Sequence, residues 1–227
     1  MIKKALFFGI WIGLIVYAFG FAPPNQPNTF ELIQRLSTGD WDGINPIVVA
    51  LFNLMGVWPL VYSCVLIADG RLQRIAAWPF VLTSFGVGAF ALLPYLGLRQ
   101  PNPEFSGIKD RFIQVLDSRI TGIILTLIAV GIAGYGLLGA NWSDFVTQWQ
   151  SDRFIHVMSL DFCLLALLFP TILKDDMAKR DMTSAALFWG VTLIPLFGPL
   201  FYLCVRSPLI STPSNSVNQS SSIVVET

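Results

Sequence analysis

Apolar residues in this chain come in long unbroken blocks, not at the every-third-or-fourth spacing of a helix half covered by a soluble core. Six blocks stand out, at 5–22, 44–67, 76–98, 120–140, 154–173 and 185–205. Each has roughly the 17–25 residues that a helix needs to cross a hydrocarbon layer at about 1.5 Å per residue. Alternating strand patterns are absent, and lipid forbids unpaired backbone groups, so helices are expected. The pattern predicts an all-α polytopic membrane bundle of about six transmembrane helices. It forms a single domain over 1–206, and a polar, disordered tail follows over 207–227.

The polar connections differ in character. Residues 23–43 are rich in Pro and Asn and hold a short surface helix near 30–36; residues 68–74 form a tight turn with Arg71 and Arg74. The stretch 99–119 predicts an interfacial helix, with Ile108, Phe112 and Val115 or Leu116 toward the membrane and Lys109, Asp110 and Asp117 away from it. Trp142 and Trp149 in 141–153 suit a headgroup-level belt. Lys3 and Lys4 precede the first block as in a signal peptide. Its apolar core is longer than the usual h-region of about 7–15 residues, so a retained helix is expected. Ala5, Gly9 and Gly13 lie four apart on one face of that helix, which would let a neighbouring helix approach closely. No internal repeat stands out.

Composition agrees with this picture. Of 227 residues, 54% are hydrophobic and only 12% charged, too few charges to cover a soluble fold of this size. Fourteen basic residues balance fourteen acidic ones, which gives no electrostatic reason to expect a nucleic-acid partner. With six spans the basic residues divide six against eight between the two sides, so the positive-inside rule sets no orientation. Cys64, Cys163 and Cys204 each sit in an apolar block without metal-ligand spacing and read as buried small hydrophobes.

The chemistry concentrates late in the chain. Asp161 is the one carboxylate inside any block, and His156, the sole histidine, shares its helix. An ionisable group at that depth must be paired, protonated or facing a wet cavity, which makes it a candidate site. Five residues on a helix place the two side chains about 140° apart. Asp161 therefore needs partners on other helices, with Asn53, Thr83, Ser84, Tyr95 and Thr192 as candidates by type. His156 follows Asp152 at a pairing distance of four. The turn 174–181 carries Asp175 and Asp176 but has Lys179 where a diphosphate-binding motif would need a third acid, so it reads as a solvated turn. In the last block, Pro195, Gly198 and Pro199 predict a broken helix of the kind that lines binding sites at mid-membrane. No metal or cofactor is implied.

Residues 156–162, His-Val-Met-Ser-Leu-Asp-Phe, are followed by a charged turn, then Thr192 to Pro199 and Tyr202. This stretch resembles the abscisic-acid-deficient-four-like membrane family, which shows a His and an Asp five apart, a charged turn, and a Phe-Gly-Pro element before a Tyr. The chain departs from the pattern at Cys163, Leu200 and Phe201. The resemblance, over roughly 153–206, implies a setting in a thylakoid or plasma membrane of a photosynthetic cell and a link to carotenoids. Three functions follow as expectations. The first is a non-catalytic accessory or assembly factor in a pigment-bearing membrane, with lipid, carotenoid or another membrane complex as partner. The others are a carotenoid-modifying enzyme using Asp161 and His156, and a small proton-coupled transporter with its site at Asp161 and the Pro195–Pro199 break.

Overall fold

The computed structural model describes residues 2–105 and 109–210, and its regular structure there is entirely helical. In chain order the helices are α1 (Ile2–Gly20), α2 (Thr29–Thr38), α3 (Pro46–Asp69), α4 (Trp78–Val87), α5 (Ala89–Leu98), α6 (Arg111–Asp117), α7 (Arg119–Leu138), α8 (Trp142–Ser151), α9 (Arg153–Leu168), α10 (Pro170–Ala178), α11 (Ala185–Leu193) and α12 (Phe197–Val205). Four helices among the described residues are long and apolar enough to cross a membrane: α1, α3, α7 and the continuous pair α9–α10. Pro170 opens α10, a position where its missing N–H costs little.

The blocks at 76–98 and 185–205, expected as single spans, are each folded back into a hairpin of two short helices. In the first, α4 runs inward from Ala77, which lies against Gly70, and α5 returns to Arg99, which pairs with Asp69. Gln73 and Gln100 exchange hydrogen bonds of 2.8 Å across its mouth, and the Phe80 and Tyr95 rings meet between its arms at a tilt of 40°, with centroids 5.4 Å apart. Gly88 makes the reversal at φ +53°, a conformation nearly closed to residues with a Cβ. In the second, α11 and α12 are joined by Ile194, Pro195 and Leu196, the last at φ +59°. Its mouth closes where Arg180 Nη1 donates to the Ser207 carbonyl at 2.5 Å and Ser207 N–H donates to Met182 Sδ. Arms of nine or ten residues reach about 15 Å, half of a hydrocarbon layer.

Hairpins explain a regularity hidden in the sequence. Asn45 and Asp152, Asp69 and Asp176, Tyr95 and Tyr202, Arg99 and Arg206, and Pro101 and Pro208 are all 107 positions apart. The order of elements repeats with them. A long helix (α1, α7) is followed by a ten-residue helix (α2, α8), a second long helix (α3, α9–α10) and a hairpin (α4–α5, α11–α12). Asn45 and Asp152 each cap their long helix by accepting from the amide two residues on, Ile47 and Phe154. The absence of a repeat expected from the sequence is therefore overturned: the chain is built of two like units. Tyr62 and Phe169, equivalent residues, touch edge to face at 5.6 Å where the two units meet.

Within each unit the first long helix lies antiparallel to the returning hairpin arm. Phe7 and Phe8 fill the space beside Gly97, and Trp11 Nε1 donates to the Phe90 carbonyl at 2.8 Å. Gly122 lies against the backbone of Leu203 and Cys204 in the second unit, so closely that a Cβ there would meet Leu203 C at 2.6 Å. Trp58, Tyr62, Phe162 and Phe169 form the aromatic centre between α3 and α9. Both hairpin mouths, the start of α1 and α6 share one end of the bundle, the ionic end; α2 and α8 cover the other.

Candidate functional site

Two places gather the polar groups: the tip of the first hairpin and the ionic end. At the tip, Asp161 of α9 is 4% exposed, and its Oδ1 accepts from the Ala89 amide at 2.9 Å. It thus caps α5, where the helix dipole favours a negative group. A Cβ on Gly88 would lie 1.7 Å from Asp161 Oδ2, so glycine serves both the turn and the carboxylate. None of the expected partner side chains reaches it. Asn53, Thr83, Ser84 and Thr192 bond to carbonyls of their own helices, and Tyr95 points to Asp69.

The other expected site residues lie elsewhere. His156 is near the far end of the bundle, with Nδ1 2.8 Å from the Trp149 carbonyl and Nε2 2.9 Å from Tyr17 Oη. Its ring stacks on Trp149, centroids 4.3 Å apart. Asp152, the expected partner of that ring, instead caps the Phe154 amide. Pro195 is exposed at the second tip, while Gly198 and Pro199 are buried against α11. A Cβ on Gly198 would meet the Val191 carbonyl at 2.2 Å, so this break is packed helix against helix. Asp161, His156 and the Pro195–Pro199 break are three separate places.

Within the turn at 174–181, read as solvated, Lys174 and Asp181 are exposed, but Asp176, Lys179 and Arg180 are buried at 1%, 3% and 2% exposure. Arg99 grips Asp69 through two bonds of 2.9 Å, while Lys179 Nζ reaches the same carboxylate at 2.8 Å. Asp175 accepts from Arg99 at 2.6 Å, so the second unit braces the first. The equivalent clamp in the second unit centres on Asp176, which accepts from Arg180 Nε at 2.8 Å and Tyr202 Oη at 2.7 Å, with Arg206 3.6 Å away. Arg206 donates to the carbonyls of Cys64 and Leu116, again crossing between units. Arg180 continues to Asp117, which also meets Lys109 and accepts from the Leu209 amide.

Charge balance sets the titration of this lattice. Burial alone would raise Asp117, but the Arg180 charge and the Lys109 contact hold it below the usual carboxylate range. Burial opposes the charge on Arg180 as well, yet Asp176 and Asp117 carry it above its ordinary value. Such lattices add little net stability over a well-packed apolar core, whereas breaking one partner is costly, about 3–5 kcal/mol. Their value here is positional: a hairpin mouth fixed by buried ion pairs cannot slide into an apolar layer.

Smaller expectations also shift. Asp117 is buried, while Phe112 and Val115 of α6 are exposed as expected; Ile108 and tail residues 211–227 lie outside the described residues. Tail residues Leu209 and Ile210 donate to Asp117 and to the Lys179 carbonyl, so the chain stays fixed from 206 through 210. Cys163 is exposed and only Cys64 is fully buried. Gly9 and Gly13 have no atom of the described residues within 4 Å of an added Cβ, so the close helix approach expected there is not made by any described helix. No family model, curated protein or solved structure matches the chain at a significant level.

Proposed function

We propose that this chain is an integral membrane protein with all six apolar blocks embedded, four crossing and two re-entering, acting as a non-catalytic accessory or assembly factor of a larger membrane complex. The observation that carries this reading is the use of the polar groups. Asp161, His156 and the buried acids and bases of the ionic end are committed to internal contacts. The outward faces are apolar and aromatic, with Phe19, Phe85, Trp78, Trp189 and Phe201 exposed. The resemblance of the last two blocks to a carotenoid-linked family supports a pigment-bearing membrane as the setting. Extraction in mild detergent tests the role: comigration with a larger complex is expected, and a partner-free monomer under every mild condition would refute it. Loss of a carotenoid conversion in Asp161→Asn, with protein level unchanged, would favour an enzyme instead.

The hairpins also supply an orientation. Of the fourteen Lys and Arg residues, all but Arg35 and Arg153 belong to the ionic end, so the positive-inside rule puts that end on the cytoplasmic side. Single cysteines at Ser37 and Gln114, in a background without the native three, test this. A membrane-impermeant maleimide applied to intact cells should label position 37 and spare position 114; the reverse pattern would overturn the assignment.

A further inference from the structure

We propose that the ionic end carries a site for the phosphate headgroup of an anionic lipid, in the hollow between α6, the start of α7 and the end of α12. The hollow, about 480 Å³, is lined by Lys109, Gln114, Asp117, Ser118, Arg119 and Arg206 together with Pro208. Three of these are cationic. Arg119 is exposed, and its Nε donates to the Arg206 carbonyl at 3.1 Å; among the described residues neither of its terminal nitrogens makes a hydrogen bond. Arg206 is 1% exposed, and among the described residues its Nε is a buried donor without a partner; its guanidinium lies 3.6 Å from Asp176 and 4.0 Å from Asp117, so it adds positive potential behind the hollow and not a direct contact. Ser118 caps α7 through the Ile120 amide, so the positive end of a twenty-residue helix opens onto the same hollow. Asp117 is the opposing charge, and Arg180 and Lys109 already neutralise it.

What selects a lipid over a soluble anion is the surface below the hollow. Ile120, Ile123, Ile124 and Leu127 of α7 are 67%, 48%, 51% and 67% exposed and form a strip along which acyl chains would lie. Phe112 and Val115 of α6, 61% and 60% exposed, flank it at the level of the headgroups.

This inference rests on the chain being membrane-embedded, which resistance of the protein to carbonate extraction checks separately. The test is native mass spectrometry of the full chain released from detergent after incubation with equal phosphatidylglycerol and phosphatidylcholine. Wild type should retain phosphatidylglycerol preferentially, and Arg119→Gln should reduce that preference roughly fivefold, the weight of one basic residue near an anionic surface. Gln114→Glu, at an exposed position, should act in the same direction and guards against misfolding of the first variant. Equal retention of both lipids, or a preference unchanged in both variants, overturns the site. Inorganic phosphate that displaces the lipid at equimolar concentration would assign the hollow to a soluble anion and overturn the lipid reading.

Discussion

The two units of this protein follow one path with different chemistry at the hairpin tips. In the second, the tip satisfies itself: Phe197 donates to the Pro195 carbonyl at 2.7 Å and Gly198 to the Ile194 carbonyl at 2.9 Å. In the first, Gly88 makes a tighter reversal, and the Ala89 amide turns to Asp161 on the other unit. The position equivalent to Asp161 in the first unit is Leu54, since the tip that it would serve needs no cap. The carboxylate at mid-depth is thus explained by a missing backbone acceptor. The mouths show the converse. Both use an Asp, a Tyr and an Arg, but the first unit has Ala68 and Leu72 where the second has Asp175 and Lys179, and it borrows that pair as braces.

The comparison is broken most directly at the clamps. Asp176→Ala and Asp69→Ala should each cost about 3–5 kcal/mol by leaving buried cations unpaired, read as unfolding midpoints in detergent; a large loss in only one would deny their equivalence. Next comes the tip. Gly88→Ala should cost about 2–3 kcal/mol, from positive φ and from collision with Asp161, while Pro195→Ala at the matching exposed position should cost under about 1 kcal/mol. Equal effects would show that the tips are not differently built. Asp161→Leu should lose about 1–2 kcal/mol as a lost cap, and Asp161→Asn, which keeps an acceptor, clearly less; thermal unfolding of the pair separates a cap from a charge requirement. The smallest effect is with acid. Asp117 is held below its unfolded value of about 3.9, so its contribution is complete above that pH and lost as pH falls through the folded value. Asp117→Asn should lower stability at neutral pH and flatten its pH dependence below about pH 4, so that the difference from wild type shrinks as pH falls.

Much of the helical architecture was legible because lipid-length apolar blocks need only counting. The hairpins were not, since a block that folds at its middle has the same composition as one that crosses. Gly88 within such a block was the available sign, and its meaning depends on a φ that the letter does not state. The break at Pro195–Pro199 was legible, but its packing against Val191 was not. The ionic end was misread because Asp175, Asp176, Lys179 and Arg180 look like any solvated turn until Asp69, Arg99 and Asp117 arrive from distant segments. One signal was present: Tyr-Leu-x-x-Arg-x-Pro occurs at 95–101 and again at 202–208. Read with Asp69 and Asp176, it locates both clamps. His156 and Asp161 were rightly placed on different faces by their spacing, which left open only what each would touch.

Folding the third and sixth blocks back on themselves changes what must be moved during synthesis. A chain of six spans would send three polar connections across the bilayer, among them the long segment 99–119. In the proposed topology, with two blocks re-entering, only the segments around α2 and α8 among the described residues would be translocated. Those segments hold Arg35 and Arg153 as their basic residues, each already engaged, by Asp40 and by the Pro23 carbonyl. In the proposed orientation the entire ionic end, hairpin mouths included, can assemble on the side where the chain is made.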